Sequence, residues 1–300
     1  MKGGRAVEID GKAAALARSV EALISADVNA RGSRQLVVPG DLLLAAQALL
    51  AAGSVAIVTG FFIAAAGAPE TDGPPGALIL ARALVRLGKP VVLVTDAWCR
   101  PVFAHPALAR WTRDVPVMEV APRLEDGWCA RHRITHLVSI ERPGRAADGH
   151  YYSAGGLVLD PYVEPFDTWF LQRRPGLVTI GVGDGGNEIG MGKVLPAVRQ
   201  HVPAGERIGC VVPTDRLVVA GTSNWGAYGL VAVLSYLTGA DLLHTPAEEL
   251  ELVAATAAAG AVDGLSGRPE ATVDSQPPEV LEDIVRALHE ELAAAARRVS

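Results

Sequence analysis

The stretch Leu177-Val-Thr-Ile-Gly-Val-Gly-Asp-Gly-Gly-Asn-Glu-Ile-Gly-Met-Gly-Lys193 changes abruptly from an apolar, β-branched run into a turn rich in glycine. The run at 177–182 predicts a buried strand, because β-branched residues favour extended backbone. The turn places Asp184, Asn187 and Glu188 among glycines, which permit positive φ and a close approach to a ligand. These three side chains offer hard oxygen atoms. The stretch therefore predicts a strand that ends in a ligand site.

Similar apolar runs recur along the chain and alternate with helical patterns. The predicted strands are 55–59, 91–95, 135–140, 177–182 and 207–212, and the predicted helices are 11–25, 39–52, 76–87, 124–131, 218–239 and 279–296. Continuous Val, Ile and Leu strands between helices are typical of a parallel sheet covered on both faces. We therefore expect an α/β fold with a mostly parallel, Rossmann-like open sheet and helices on both faces. We expect one domain over 1–300, with 142–175 as a candidate lid or small subdomain.

Polar residues stand where each predicted strand ends. The pairs are Thr59 and Gly60, Thr95 and Asp96, Glu141 and Arg142, Gly183 and Asp184, and Thr214 and Asp215. Ligands of open parallel sheets bind outside the carboxyl ends of the strands, so we expect these pairs to meet in one crevice. Asp and Thr are also ordinary loop and capping residues, which is the structural alternative for each pair.

The spacing Gly181-x-Gly183-x-x-Gly186 matches the dinucleotide fingerprint. However, Asp184 and Glu188 would place negative charge where the phosphates should lie, so no nucleotide cofactor is expected. A divalent cation or a substrate ammonium fits these carboxylates better. The structural alternative is the acidic first turn of a helix.

Composition excludes several classes of function. The 27 basic and 33 acidic residues give a net charge of −6 without a basic stripe, which argues against a nucleic-acid partner. The three cysteines lack metal spacing and indicate a reducing, cytoplasmic setting. The first eleven residues predict no signal peptide. The uncharged run 42–69 is divided by Gly53 and Ser54, so we expect a buried helix and strand there and no membrane span.

Several motifs, in their order along the chain, resemble the D-glutamate cyclase C-terminal domain family. They are Thr59-Gly60-Phe61, Glu70-Thr-Asp-Gly-Pro-Pro-Gly76, Thr95-Asp96, Ser139-Ile-Glu-Arg-Pro-Gly144, Gly183-Asp-Gly-Gly-Asn-Glu-Ile-Gly-Met-Gly192, and Thr214-Asp215 with Ser223-Asn-Trp-Gly226. The resemblance spans about 27–239. It implies a hydro-lyase that converts D-glutamate to 5-oxo-D-proline and water. In eukaryotic members this domain follows a hydratase-like domain and a mitochondrial targeting segment, and we expect neither here.

Forming this lactam requires a base for the ammonium, a cation or acid at the γ-carboxylate, and a bent substrate. Our hypothesis assigns catalysis to Asp96, Asp184, Glu188 and Asp215. Asp184 and Glu188, with Asn187, would hold a divalent metal (Mn²⁺ or Mg²⁺) or the substrate ammonium, and Asp96 or Asp215 would be the base. Arg142 would clamp the α-carboxylate, with Lys193 as second choice.

The candidate substrate-binding residues are Thr59, Gly60, Glu70, Thr71, Asp72, Glu141, Arg142, Gly185, Gly186, Asn187, Thr214, Ser223 and Asn224. We expect a small amino-acid substrate, no nucleic acid and no membrane, and we leave a homo-oligomer open. Two alternatives remain for the function. One is a non-catalytic module that binds an amino acid or nucleotide, and the other is metal-assisted hydrolysis of a related lactam or phosphoester.

The first prediction concerns Asp184. The D184N substitution should abolish 5-oxoproline formation and leave the fold intact, because the amide removes the charge but keeps the shape of the side chain. Activity assays and circular dichroism measure the two effects, and near-normal activity would remove Asp184 from the mechanism.

Overall fold

A parallel sheet forms the centre of the structure, which a computed structural model describes for residues 11–124, 127–172 and 174–297. The strands of this part of the chain are β1 Val55–Thr59, β2 Phe62–Ile63, β3 Ala68–Pro69, β4 Val91–Thr95, β5 Val117–Glu119, β6 His136–Ile140, β7 Val178–Gly183 and β8 Arg216–Val219. Six of them form the sheet in the order β5-β4-β1-β6-β7-β8, with every neighbouring pair parallel. Strands β2 and β3 form a separate antiparallel hairpin.

The helices connect the strands and cover the sheet. Within the described ranges they are α1 Gly11–Ile24, α2 Ser33–Leu36, α3 Asp41–Ala51, α4 Pro74–Arg86, α5 Arg100–Ala104, α6 Ala109–Thr112, α7 Trp128–Arg131, α8 Asp167–Leu171, α9 Leu195–His201, α10 Gly205–Ile208, α11 Ser223–Thr238, α12 Pro246–Ala258 and α13 Pro278–Arg297. Short 3-10 turns lie at Pro106–Leu108, Pro122–Leu124, Asp160–Tyr162 and Gly192–Val194.

The sheet is buried on both faces. Val55 and Ile57 of β1 pack into the core beneath α1, α3, α4 and α11, whereas Ala56 and Val58 pack into a second core beneath α8 and α9. This is the alternation that an extended chain imposes, because successive side chains point to opposite faces. The predicted α/β fold with helices on both faces is confirmed.

The uncharged run 42–69 behaves as predicted, since α3 supplies a buried helix and β1 a buried strand. No helix within the described ranges combines the length and the apolar character that a membrane crossing requires. The predicted helix 124–131 begins later, at Trp128, and residues 125–126 lie outside the described residues. Helix α12 was not predicted, although Thr245 and Glu248 form a capping box at its start.

The predicted strand 207–212 is wrong. Residues 205–208 form α10, and the apolar residues after it pair with the glycine-rich loop: the carbonyl of Val212 accepts from the N–H groups of Gly190 (2.9 Å) and Gly192 (3.2 Å). The last strand of the sheet is β8, which occupies the start of the predicted helix 218–239. An apolar run of this length suits either strand or loop core, so periodicity alone could not separate them.

This change of register corrects the expectation for Thr214 and Asp215. Both residues precede β8 and therefore lie near the amino ends of the strands. The Asp215 carboxylate accepts from the Thr179 N–H at 2.8 Å, close to the start of β7. The fifth strand end instead leads into Thr222, whose side chain caps α11 by accepting from the Trp225 N–H.

A close backbone contact joins the end of α1 to the loop after β8. The Gly221 N–H donates to the Ile24 carbonyl at 2.7 Å, and a Cβ at this glycine would lie 2.1 Å from the Ala26 carbonyl oxygen. Only glycine allows this approach. The contact fixes the turn 25–32 over the carboxyl ends of the strands.

The second prediction tests this contact. G221A should lower the free energy of unfolding by about 1–3 kcal/mol, because the methyl group must displace backbone rather than a flexible side chain. Denaturant unfolding measures the loss. G53A is the matched control, since a Cβ at exposed Gly53 meets only ordinary contacts at 3.4 Å or more. Equal stability of the two variants would contradict the proposed close approach.

Candidate active site

Buried carboxylates meet at the carboxyl ends of the strands. Six of them among the described residues form what we term the carboxylate cluster, and none is more than 6% exposed. Its members are Glu70, Asp72, Glu141, Asp184, Glu188 and Asp274. Glu141 directly follows β6 and Asp184 directly follows β7. The crevice predicted from the strand ends therefore contains a dense negative charge.

Asp72 is held at the point where two helices begin. Its carboxylate accepts from the N–H groups of Ser223 and Asn224, both at 2.8 Å. The Asn224 side-chain oxygen in turn accepts from the N–H groups of Gly73 (3.0 Å) and Gly76 (2.8 Å). Free N–H groups at helix starts are natural partners for such oxygens, so the starts of α4 and α11 lock each other in place.

The glycine-rich loop folds back on its own carboxylate. Oε1 of Glu188 accepts from the N–H groups of Asp184 (2.9 Å) and Gly185 (2.6 Å). Oε2 of Glu188 is buried and has no hydrogen-bond partner among the described residues. The amide nitrogen of Asn187 donates to the Tyr152 carbonyl at 2.8 Å, which fixes the loop against 142–175.

Two triads of carboxylate oxygens share Asp184. Asp72, Asp184 and Asp274 form one, and Glu141, Asp184 and Glu188 form the other, with the oxygens of each within 4.8 Å of one another. The first triad has a counter-charge: Nη1 of Arg31 lies 2.9 Å from Asp184 Oδ2 and 3.0 Å from Asp274 Oδ2. Across the described residues, no salt bridge reaches Glu141 or Glu188.

This crowding favours protonation. Burial raises the pKa of Glu70, Glu141 and Asp184 well above their ordinary values, and neighbouring carboxylates raise it further. Burial and Asp274 together raise the pKa of Asp72 to about 7. Protons are therefore available inside the cluster near neutral pH.

A cavity of about 240 Å³ opens beside the cluster. Its polar lining includes Arg31, Glu70, Glu141, Asp184, Gly185, Asn187 and Asp274. Its apolar lining includes Phe61, Phe62, Ile63, Leu157, Leu159 and Leu265. The pocket thus combines an acidic floor with an apolar wall, and three separate segments of the chain form that wall.

The structure places some predicted residues beside the pocket and others elsewhere. Glu70, Glu141, Asp184, Gly185 and Asn187 line the cavity. Four predicted residues are not in the lining but belong to the carboxylate cluster or hydrogen-bond to it: Asp72, Glu188, Ser223 and Asn224. Thr71 Oγ1 donates to the Thr272 carbonyl. The Thr59 and Gly60 carbonyls bond to Thr95 and Arg142, and the Gly186 carbonyl accepts from the Cys210 N–H.

Asp96 and Arg142 lie outside the cavity lining. The two side chains form a fully buried ion pair, with Arg142 Nη2 2.5 Å from Asp96 Oδ2, and neither lines the cavity. Arg142 also donates to the carbonyls of Gly60 (2.8 Å) and Glu164 (3.0 Å). Arg142 therefore bonds to the backbone beside Phe61, a residue that lines the cavity. Lys193 pairs with Asp41 and contacts the Asp215 carbonyl, away from the cluster.

Sequence reasoning missed two residues of the pocket, Arg31 and Asp274. For Arg31, the sequence signal was Asp27, a residue type that folds turns. Its carboxylate accepts from the N–H groups of Arg31 (2.8 Å) and Gly32 (2.9 Å). Asp274 and Ser275 both adopt positive φ, 50° and 60°, which is uncommon for residues other than glycine, although aspartate tolerates it better than most. Asp274 follows no strand, so the rule of strand ends could not find it.

Comparison with known proteins gives three findings. The family described as "D-glutamate cyclase-like, C-terminal" matches residues 20–289. The human protein named D-glutamate cyclase, mitochondrial, is 40% identical over 238 residues, which cover 73% of this chain and 39% of that protein. The chain thus spans about two fifths of that relative's length. The structure of an exopolyphosphatase-related protein from Bacteroides fragilis aligns with a TM-score of 0.41 and 9% identity, covering 86% of this chain and 57% of that one.

The third prediction follows from the raised pKa of Asp72. Because folding raises the pKa of Asp72, its protonated form stabilises the folded chain relative to the unfolded one. This stabilisation is lost as the pH rises from about 4, where free aspartate titrates, to about 7. In the presence of a chelator, the free energy of unfolding should be higher at pH 5 than at pH 8 by about 2–3 kcal/mol, because each pH unit between 5 and about 7 is worth about 1.4 kcal/mol. Denaturant unfolding at both pH values measures it.

The D72N variant should show a smaller difference between the two pH values, because the amide does not titrate. D241N is the matched control, since Asp241 is exposed and should leave the difference unchanged. An unchanged difference in D72N would mean that other groups cause it.

Proposed function

The chain belongs to the D-glutamate cyclase-like, C-terminal family, and we propose that it closes D-glutamate to 5-oxo-D-proline with release of water. The observation that carries this proposal is the pocket itself, in which several buried carboxylates and one arginine face a small cavity. D-Glutamate carries one ammonium and two carboxylates. An acidic floor attracts the ammonium, and buried carboxyls can exchange protons with it.

The reaction moves protons without consuming them. The amine nitrogen attacks the γ-carbon, a C–N bond forms and a C–O bond breaks. The nitrogen loses two protons on the way from ammonium to lactam, and the departing oxygen gains two and leaves as water. The site therefore needs a group that takes protons at one atom and returns them at another.

Glu70 is the best placed group for this transfer. It lines the cavity, and its buried Oε1 has no hydrogen-bond partner among the described residues. Burial raises the pKa of Glu70, and Glu141 raises it further. A carboxyl whose pKa is moved towards neutral pH is an efficient general acid and base. We assign Glu70 the role that the sequence suggested for Asp96 or Asp215.

Glu141, Asp184 and Glu188 form the site for positive charge. Their oxygens lie within 4.8 Å of one another, and Glu188 Oε2 has no partner in the described part of the chain. These hard donors fit Mg²⁺ or Mn²⁺. When bound, such a cation would polarise the γ-carboxylate. In this assignment Glu141 joins the two carboxylates expected from the sequence, while Asn187 mainly holds the loop through Tyr152.

The pocket walls assist by holding the substrate bent. Phe61 and Leu159 belong to one apolar cluster beside the cavity and exclude water from it. A γ-carboxylate held against its own amine reacts within one molecule, which removes several kcal/mol of entropic barrier.

The fourth prediction tests the reaction and Glu70 together. Metal-stripped protein is incubated with D-glutamate, with and without Mn²⁺ or Mg²⁺, and 5-oxoproline is followed by proton NMR against an enzyme-free control. We expect product from the wild type and a loss of kcat of about 100-fold or more in E70Q, because general acid-base catalysis contributes about that much.

E119Q is the matched control, since exposed Glu119 also ends a strand of the sheet and should not matter. Wild-type kcat in E70Q would remove Glu70 from proton transfer. Saturable binding of D-glutamate without product would indicate a binding module, and turnover of L-glutamate or model phosphoesters alone would indicate another reaction.

A further inference from the structure

Arg31 is the one cationic side chain among the described residues that line the cavity. Its side chain is 18% exposed and forms part of the cavity lining. Nη1 is engaged by Asp184 and Asp274. A guanidinium has five N–H donors in a planar fork, so Nε and Nη2 keep donors beyond those that face the two aspartates.

The charge of the proposed substrate requires such a group. A carboxylate entering a pocket with an acidic floor is repelled unless a cation receives it. Arg142, the arginine that the sequence favoured, is buried and bonded to Asp96, Gly60 and Glu164. Arg31 is therefore the residue placed to receive a carboxylate.

The chemistry decides which carboxylate that is. The γ-carboxylate must accept protons and lose an oxygen, whereas the α-carboxylate stays charged and persists in the product. Arginine remains protonated throughout, and it cannot supply protons to a leaving oxygen. Its fixed positive charge suits the group that does not react.

We propose that Arg31 binds the α-carboxylate of the substrate through the edge of its guanidinium that faces the pocket, an inference that rests on the proposed function. Asp184 and Asp274 both hold Nη1 of Arg31 and so restrain the guanidinium before the substrate arrives. Asp274 is thus a positioning residue. Its loop is tied to the Arg31 turn, because Gln276 Nε2 donates to Asn29 Oδ1 at 3.1 Å.

The fifth prediction uses two substrates, D-glutamate and its α-amide, which keeps the amine and the γ-carboxylate but lacks the α-charge. For D-glutamate, R31Q should lower kcat/KM by about 10- to 100-fold, the range expected for one hydrogen bond to a charged group. The wild type should lose a similar factor on the α-amide. R31Q should then show little further loss on the α-amide, because the lost interaction is the same one.

A merely structural role for Arg31 predicts another pattern, in which the two losses multiply, and that result would overturn the inference. R31K should recover part of the activity on D-glutamate, since lysine keeps the charge without the fork. R34Q is the matched control on exposed Arg34 and should behave as wild type with both substrates. If R31Q fails to fold, D274N serves instead and should raise KM for D-glutamate but not for the α-amide.

A binding measurement separates this inference from the proposed reaction. Calorimetry of 5-oxo-D-proline and its amide requires no turnover. Binding of 5-oxo-D-proline that weakens about 10-fold or more in R31Q and less in R31K, without weakening of the amide, supports the Arg31 assignment even if no cyclisation occurs. Equal weakening of both ligands overturns it, and absence of both binding and turnover overturns the assignment together with the proposed function.

Discussion

Burial of like charges in one place is the constraint around which this structure is built. Carboxylates removed from water repel one another and each loses its hydration, so the fold must offset both terms. It does so with three devices: the Arg31 guanidinium between Asp184 and Asp274, backbone N–H groups directed at Asp72 and Glu188, and protonation of the remaining oxygens.

The parallel sheet makes this arrangement geometrically available. Strands β6 and β7 run side by side in register, so Glu141 and Asp184 emerge at the same edge. Glu141 adopts a positive φ of 45°, a strained conformation that non-glycine residues keep only where the surroundings impose it. The helices contribute by their starts, since α11 presents free N–H groups to Asp72. The fold thus supplies the backbone N–H donors that stabilise the buried carboxylates of the site.

The sequence predicted the parts of this site that follow a local rule. β1 and β4 were predicted with their observed bounds, and the turn after β7 was recognised from its glycines and oxygen donors. Asp215 was expected at the carboxyl end of a strand because Val211 and Val212 were predicted to belong to that strand. In the structure Asp215 precedes β8 and therefore lies at the amino end of a strand. Arg31 and Asp274 were missed because their importance arises from a contact across the fold, and no pattern near either residue encodes its partner. Arg142 had the right chemistry, but burial against Asp96 is invisible in a sequence.

The contact between the Arg31 turn and the Asp274 loop joins distant parts of the polypeptide, as the bond between Asn29 and Gln276 spans 247 positions. Long-range contacts of this kind form only after the chain between them has been ordered, because the entropy of loop closure opposes them earlier. The guanidinium fork is therefore among the features that require a nearly complete fold. A growing chain that has not yet reached Asp274 has only one of the two carboxylates that hold Arg31, so the electrostatics of the pocket are completed only once Asp274 has been synthesised.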